Sequence, residues 1–483
     1  MGKKSIRTVL TAEAPSLEDH LVKHLPEEGS AKIAAVGWGE AELGPLARPD
    51  LVVFVSLDAL EGVSERFDLV FWHFSGAEGE AQRGLELLRG LLEDEATLVI
   101  AGRLEAAYDE LPPREEVVFR DLVRRISEAR LAVIEDRNLS VEGLDGCWRV
   151  MLARPDAMEI RSYRPGDEAE ILRLFKPCFH AEQSLEHWRW KYVENPWGQT
   201  VISVALSPEG ELTAHYAGYP TPFWIGDRRE NRTFAAIQLG DIMTNPEYRD
   251  RGRRRSSLLA RTVRHYFAAR RDGKYGYYYG FPIRLHQRFC EWFIGARHLE
   301  PAPLWVREPA SGESSKELGT RVERFESPPE AADRLFRRVA PEYGFLMHRT
   351  ASYLDWRYFR RPGVEYVMLG VYRWLRLVGW AIFRRDGERL IWGDVLVEPK
   401  HAERASRALL EAALEQGEFQ GIERIEGWFS DRPAWWNDVL PKLGFERRDD
   451  SNQLAFIYFP DGEPDADDTL EELYYTMGDI DLF

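Results

Sequence analysis

The chain has 483 residues, of which 44% are hydrophobic and 12% aromatic, and its formal net charge is −17. That length calls for more than one core, and that apolar content excludes general disorder. So acidic a chain does not attract nucleic acid in bulk, which excludes DNA as a partner and means that a phosphate-bearing ligand needs a local basic site.

Cys147, Cys178 and Cys290 lie far apart with no C-x-x-C, arguing against a disulfide framework and a cysteine zinc site; buried free thiols and no metal are expected. There is no run of about 18 apolar residues and no stretch of signal-peptide type near the start, so a cytoplasmic protein without membrane insertion is expected.

Residues 31–155 alternate short apolar runs with charged helical stretches, within a first domain expected over 1–155. Strands are expected at 31–36, 51–55, 68–71, 97–100, 132–135 and 148–152, and helices at 80–92 and 115–129. The alternation predicts an α/β domain on a parallel, doubly wound, Rossmann-like sheet. Gly37-Trp38-Gly39 follows the first strand. Phe67-Asp68-Leu69-Val70-Phe71, then Leu91-Leu92 and Thr97-Leu98-Val99-Ile100, resemble the later half of a class I S-adenosylmethionine methyltransferase. The ribose-binding acid of such a site would be Asp58, 19 residues beyond Gly39. Only nine residues separate Asp58 from Asp68, where the methyltransferase pattern places a further helix and strand. A degenerate, non-catalytic module is therefore expected.

The rest of the chain repeats itself. Ser184-Leu185-Glu186-His187-Trp188-Arg189-Trp190-Lys191-Tyr192 with Pro196 recurs as Ser352-Tyr353-Leu354-Asp355-Trp356-Arg357-Tyr358-Phe359 with Pro362. Gly240-Asp241-Ile242-Met243-Thr244-Asn245-Pro246 recurs as Gly393-Asp394-Val395-Leu396-Val397-Glu398-Pro399. The offsets are 168 and 153 residues. A helix is expected after each proline, at 257–269 and 405–415. The repeat implies two copies of one α/β unit, over 156–308 and 320–460, with a linker at 309–319 and an acidic tail at 461–483.

The run Asp241-Ile242-Met243-Thr244-Asn245-Pro246-Glu247-Tyr248-Arg249-Asp250-Arg251-Gly252, followed by a helix with Leu258, Leu259, Val263 and Phe267 on one side, resembles the GCN5-related N-acetyltransferase (GNAT) superfamily. The resemblance implies acetyl-CoA, or another acyl-CoA, as cofactor. It places the backbone of Ile242, Met243 and Thr244 along the pantetheine arm and the loop of Arg249, Arg251, Gly252, Arg253 and Arg254 around the pyrophosphate. The physics agrees: amides at a helix start form an anion nest, and glycine lets the chain approach phosphate closely. From Glu247 to Lys274 there are ten basic residues against three acidic ones, a placed feature in an acidic protein. Two departures stand out. Arg254 occupies the place of the last Gly or Ala, and the first helix leucine, Leu258, comes one residue late. In the second copy Ala402 and Ala405 replace the arginine and glycine, so that copy is expected not to bind cofactor.

Acyl transfer to an amine needs a neutral nucleophile, a stabilised oxyanion and a protonated leaving thiolate. Asp241, beside the expected thioester, stands as base acting through water or as a strand brace, since Asp394 holds the same position in the second copy. The usual tyrosine acid is replaced by Glu291, which leaves Tyr277, Tyr278 and Tyr279 on the preceding strand; Tyr279 is the candidate, with packing as the competing role. The aromatic run at Trp188 is read either as lining an acceptor cleft or as core. The tail carries nine acidic residues and no Lys or Arg; it is read either as presenting Asp479, Asp481 or the terminal carboxylate to a cationic acceptor, or as docked on the second copy. The expected activity is acyl-CoA-dependent N-acyltransfer to a small amine, such as an amino sugar of a surface polysaccharide pathway. The alternatives are a transferase that takes its acyl group from charged tRNA, and a non-catalytic scaffold or sensor.

Overall fold

The computed structural model describes residues 31–38, 51–77, 79–104, 113–140, 147–227, 229–249, 257–269, 277–309, 319–448, 456–460, 472–481 and 483. The fold is mixed α/β. The chain divides into two compact units, the first of Met1–Glu182, Val201–Ala217 and Asp241–Asp272, the second of Gln183–Thr200, Gly218–Gly240 and Gly273–Phe483.

In the first unit, β1 (Ile33–Val36), β2 (Leu51–Phe54), β3 (Phe67–His73), β4 (Leu92–Leu104), β5 (Leu131–Ser140) and β6 (Cys147–Pro155) form one sheet in the order β2-β1-β3-β4-β6-β5. β1 to β4 run parallel, and β6 joins antiparallel to both β4 and β5. Alternation along each strand feeds two faces. Ala34, Val36, Val70 and Trp72 pack with Leu85 and Leu88 of the helix Glu80–Leu91 and Leu122 and Ile126 of the helix Pro113–Glu128. Ile33, Ala35, Phe71 and Val99 form the other face with Trp38 and Trp148. Gly84, in the middle of its helix, is explained by Trp72, whose indole occupies the space of a Cβ.

The same unit holds β7 (Glu159–Ser162), β8 (Val201–Leu206), the start of β9 (Leu212–Gly226), the end of β10 (Asn231–Thr244) and the helices Glu168–Phe179 and Leu258–Ala269. The last of these is tied down by polar contacts. Arg261 pairs with Asp156, Arg264 Nη1 donates to the Val133 carbonyl at 2.7 Å, and buried His265 bonds Ser203 Oγ through Nδ1 at 2.8 Å.

The second unit takes the remainder of β9 and β10 and adds β11 (Tyr277–Gly280), β12 (Arg297–His298), β13 (Leu304–Arg307), β14 (Thr320–Phe325), β15 (Phe345–Met347), β16 (Val367–Arg373), β17 (Arg376–Asp386), β18 (Arg389–Val397), β19 (Arg424–Trp428), β20 (Glu446–Arg448), β21 (Ile457–Pro460) and β22 (Leu473–Tyr474). One sheet runs β12-β21-β11-β10-β9-β15-β22 and the other β14-β16-β17-β18-β19-β13-β20. Two strands are exchanged between the expected copies. β13, from before the linker, lies between β19 and β20, while β21, from the end of the second copy, pairs with β11 and β12. The boundaries expected at 308 and 460 therefore do not coincide with breaks in hydrogen bonding.

The repeat itself needs a correction of register. Trp190 and Trp356 stack at 4.9 Å and exchange hydrogen bonds, each indole N–H donating to the other's carbonyl at 2.8 and 3.4 Å. Ser184 and Thr350 cap the two helices alike, each accepting from the amide three residues on. These pairs are 166 residues apart, the spacing of Pro196 and Pro362, so Trp190 rather than Trp188 is the counterpart of Trp356. Trp188, Trp190 and Tyr192 are buried, and the aromatic run is core.

The segment from Leu473 onward docks on this unit. β22 extends the first sheet beside β15, and the residues after it are held by fully buried Arg349. The Arg349 Nε donates to Asp394 Oδ1 at 2.9 Å and its Nη2 to Asp479 Oδ2 at 2.6 Å. Tyr358 and Thr476 hydroxyls also donate to Asp394, at 2.7 and 3.1 Å. Lys191 pairs with Asp481 at 3.0 Å, both against Gly240, where a Cβ would come within 2.6 Å of the Asp481 carboxylate. The backbone oxygen of Phe483 accepts from Arg357 and Arg361. The three anionic groups expected to meet a cationic acceptor are thus turned to cations of the protein itself.

Replacing Arg349 by Met leaves two buried carboxylates facing each other, and we expect destabilisation of about 3–5 kcal/mol. Adding Asp394→Asn and Asp479→Asn should recover most of it; equal melting temperatures for R349M and wild type would remove Arg349 from this role. Burial raises the Asp479 carboxyl to about 6, with Arg349 opposing, against about 3.9 in an unfolded chain. The folded state holds the extra proton between those values, so this group's contribution to stability falls as pH rises through the window. Asp479→Asn should remove that fall from a plot of melting temperature against pH.

Candidate functional site

β10 pairs with β11 in parallel over Ile237↔Tyr278 and Gln238↔Tyr279 and then runs on to Thr244. At Asp241 its backbone turns to φ +50°, a left-handed conformation that Asp tolerates better than most residues. The Asp241 carbonyl accepts from Nδ1 of buried His215 at 2.7 Å. Because a carbonyl only accepts, the ring proton sits on Nδ1. Four residues on, the Asn245 amide donates to the Thr213 carbonyl at 2.8 Å, and its side chain accepts from the Glu247 amide at 3.1 Å, capping the turn Pro246–Tyr248. Ile242, Met243 and Thr244 are thus stretched between two anchors. Met243 points into the core, while Ile242 and Thr244 are half-buried.

The Thr244 carbonyl accepts from Arg249 Nε at 3.1 Å and from Cys178 Sγ at 3.4 Å. Arg249 therefore folds back over the strand end with the rest of its side chain exposed. Burial pushes the Cys178 thiol up, with Arg249 opposing. Asp250, Arg251, Gly252, Arg253 and Arg254 lie outside the described residues. Beyond them the helix Leu258–Ala269 opens on Ser257, whose Oγ accepts from the Ala260 amide at 3.2 Å. Residues 250–254 are preceded in the chain by an exposed cation, Arg249, and followed by the positive end of a helix. Two members of the basic cluster are otherwise engaged, since Arg261 and Arg264 hold the helix to Asp156 and Val133.

Tyr279 belongs to the second unit and Asp241 to the first. Tyr279 is completely buried, its ring stacked on Phe456 and its hydroxyl 3.0 Å from Thr221 Oγ1 and 3.2 Å from Gln238 Oε1. The same amide oxygen accepts from Tyr219 at 2.7 Å, and its nitrogen donates to the Asp479 carbonyl at 3.1 Å. Burial raises Tyr279 well above the usual tyrosine range, so its hydroxyl is protonated at neutral pH. Sequence reasoning missed His215 and placed Cys178 only as a buried thiol. Both act on backbone carbonyls, and no local pattern signals such contacts. Among the described residues no cluster of three or more His, Cys, Asp or Glu is arranged to hold a metal ion.

In the second copy, β18 leads through the turn Pro399–His401 straight into the helix Ala402–Leu414. No loop intervenes to form a nest, and Asp394 is committed to Arg349 and Tyr358.

Comparison with known proteins agrees with this geometry in one region. No curated protein matches the chain. Similar solved structures include a conserved protein of unknown function from Enterococcus faecalis V583, at 13% identity and TM-score 0.48 over 63% of this chain and 72% of that one. A GCN5-related N-acetyltransferase from Anabaena variabilis ATCC 29413 shows 14% identity and TM-score 0.48 over 63% and 73%. A tandem GNAT protein from the clavulanic acid biosynthesis pathway shows 15% and 0.43 over 64% and 100%. Residues 159–289, which contain β7 to β11 and the helix Leu258–Ala269, match the acetyltransferase (GNAT) domain model.

Proposed function

We propose that the chain is an acyl-CoA-dependent N-acyltransferase that uses acetyl-CoA and acts on a small amine, such as an amino sugar, in the cytoplasm. The observation that carries this reading is the strand end of β10, pinned at Asp241 and Asn245 within the region that matches the GNAT domain model, followed in sequence by the basic, glycine-containing stretch 249–257 and then by a helix N-terminus. The donor set fits an acyl-CoA. Ile242 and Thr244 lie half-buried on the strand edge, Arg249 is exposed at its end, and the helix start offers amides to phosphate. When bound, an acyl-CoA supplies a thioester-activated acyl group.

In this reading the backbone of Ile242, Met243 and Thr244 aligns the pantetheine arm. Arg249, Arg251, Arg253 and Arg254 neutralise the pyrophosphate, and Gly252 allows close approach. Asp241 draws the proton from the attacking amine through water. The second copy, over 320–460, serves as scaffold, since its helix follows its strand without a loop. Residues 1–155 are a degenerate Rossmann-like module whose sheet is fastened to the cofactor helix through Arg264 and Val133.

Calorimetry with acetyl-CoA should give a dissociation constant between submicromolar and tens of micromolar for the wild type. Arg249→Ala combined with Gly252→Asp should weaken it by about a hundredfold or more. No binding at millimolar acetyl-CoA would overturn the reading. Asp241→Asn should lower kcat by about a hundredfold or more while leaving acetyl-CoA affinity in place; an unchanged kcat would make Asp241 a brace like Asp394.

A further inference from the structure

The hairpin joining β16 to β17 carries a feature independent of the GNAT domain. Arg373 and Arg376 face each other across the two strands, leaving Trp374-Leu375 as a two-residue loop. Trp374 is 68% exposed and Leu375 95%. Trp374 also sits at φ +56°, a position that such hairpins fill with Gly, Asn or Asp, and a bulky aromatic there strains the backbone. The tip is nevertheless held firmly. The Trp374 amide donates to the Gly319 carbonyl at 2.7 Å, and the indole covers Gly319 so closely that a Cβ there would come within 3.0 Å of the ring. Both the exposure of an apolar pair and the strain of displaying it are unfavourable to folding.

The surroundings are basic. Arg373, Trp374, Leu375, Arg376 and His401 border a shallow depression open to solvent. Buried Glu398 is the carboxylate for Arg338, Arg376 and Lys400 together, so cations outnumber it, while burial holds the neighbouring His401 imidazole below its usual range. Among the described residues Arg373 reaches no carboxylate, its Nη1 lying 3.3 Å from His401 Nδ1. In a chain of net charge −17, this is a positive collar around a projecting Trp-Leu pair. A small anion in that depression would satisfy the collar and leave Leu375 in water. An anionic bilayer satisfies both, because arginines meet phosphate headgroups, indole prefers the interface, and leucine enters the acyl region. We propose that the Trp374-Leu375 tip docks the protein peripherally on an anionic lipid surface. No helix among the described residues is long and apolar enough to cross a membrane, so the contact is superficial.

The test is co-sedimentation of the full chain with vesicles of phosphatidylcholine alone or mixed with phosphatidylglycerol. The proposal expects binding to the mixed vesicles only, weakened by salt. Arg373→Gln with Arg376→Gln should reduce it roughly thirtyfold. Trp374→Gly with Leu375→Ser should reduce it about tenfold or more while keeping the melting temperature at or above that of the wild type, because glycine relieves the strained φ. Absence of wild-type binding to mixed vesicles would overturn the proposal, as would full binding by the tip variant. Calorimetric binding of free glycerol phosphate as tight as vesicle binding would assign the collar to a small anion instead. A wild-type dimer that the tip variant converts to monomer would assign the tip to self-association, also against the proposal.

Discussion

Arg349 is sealed from solvent and divides its charge between Asp394 on β18 and Asp479 near the end of the chain. Ions taken out of water are tolerated only where each finds its counterion and its hydrogen bonds, so the last segment cannot leave without stranding charge in the core. Around that pair the rest of the segment falls into place. Thr476 and Asp479 close a capping box, Ser430 and Tyr475 exchange hydrogen bonds, and Lys191 and Asp481 meet beside Gly240. The acidic tail of the sequence is, from Leu473 onward, an integral part of the second unit.

The same ion pair separates the two aspartates that the repeat makes equivalent. Asp394 is spent on structure, held by Arg349, Tyr358 and Thr476. Asp241 instead occupies a left-handed turn whose carbonyl is held by His215, immediately before the strand residues of the proposed cofactor site. In the first copy nine residues, 249–257, separate the turn Pro246–Tyr248 from the helix at Leu258, whereas in the second a helix starts at once at Ala402.

Much of this was legible in the residues. The alternation in the first 155 residues located the strands of the first sheet, and the Asn245-Pro246 turn with its trailing arginines located the candidate site. Other features were hidden for physical reasons. A buried strand's apolar run carries no record of direction, so the antiparallel entry of β6 was not visible. Strand exchange depends on partners far apart in sequence, whereas periodicity is local. The repeat was set two residues out because Trp188 and Trp190 match Trp356 equally well by residue type; Pro196 and Pro362 carried the correct spacing. Charge counting overstated the phosphate site, because Arg261 and Arg264 are used on Asp156 and a backbone carbonyl.

In the proposed function one copy alone, through the strand end at Ile242 to Thr244 and the stretch from Arg249 to the helix at Leu258, holds acyl-CoA. A crystal structure of the full chain grown with acetyl-CoA tests it most directly. The expected result is one cofactor per chain, with its pyrophosphate at residues 249–257 and its pantetheine arm along residues 242–244. Density for the cofactor at the turn before Ala402, or none anywhere at saturating acetyl-CoA, would contradict it.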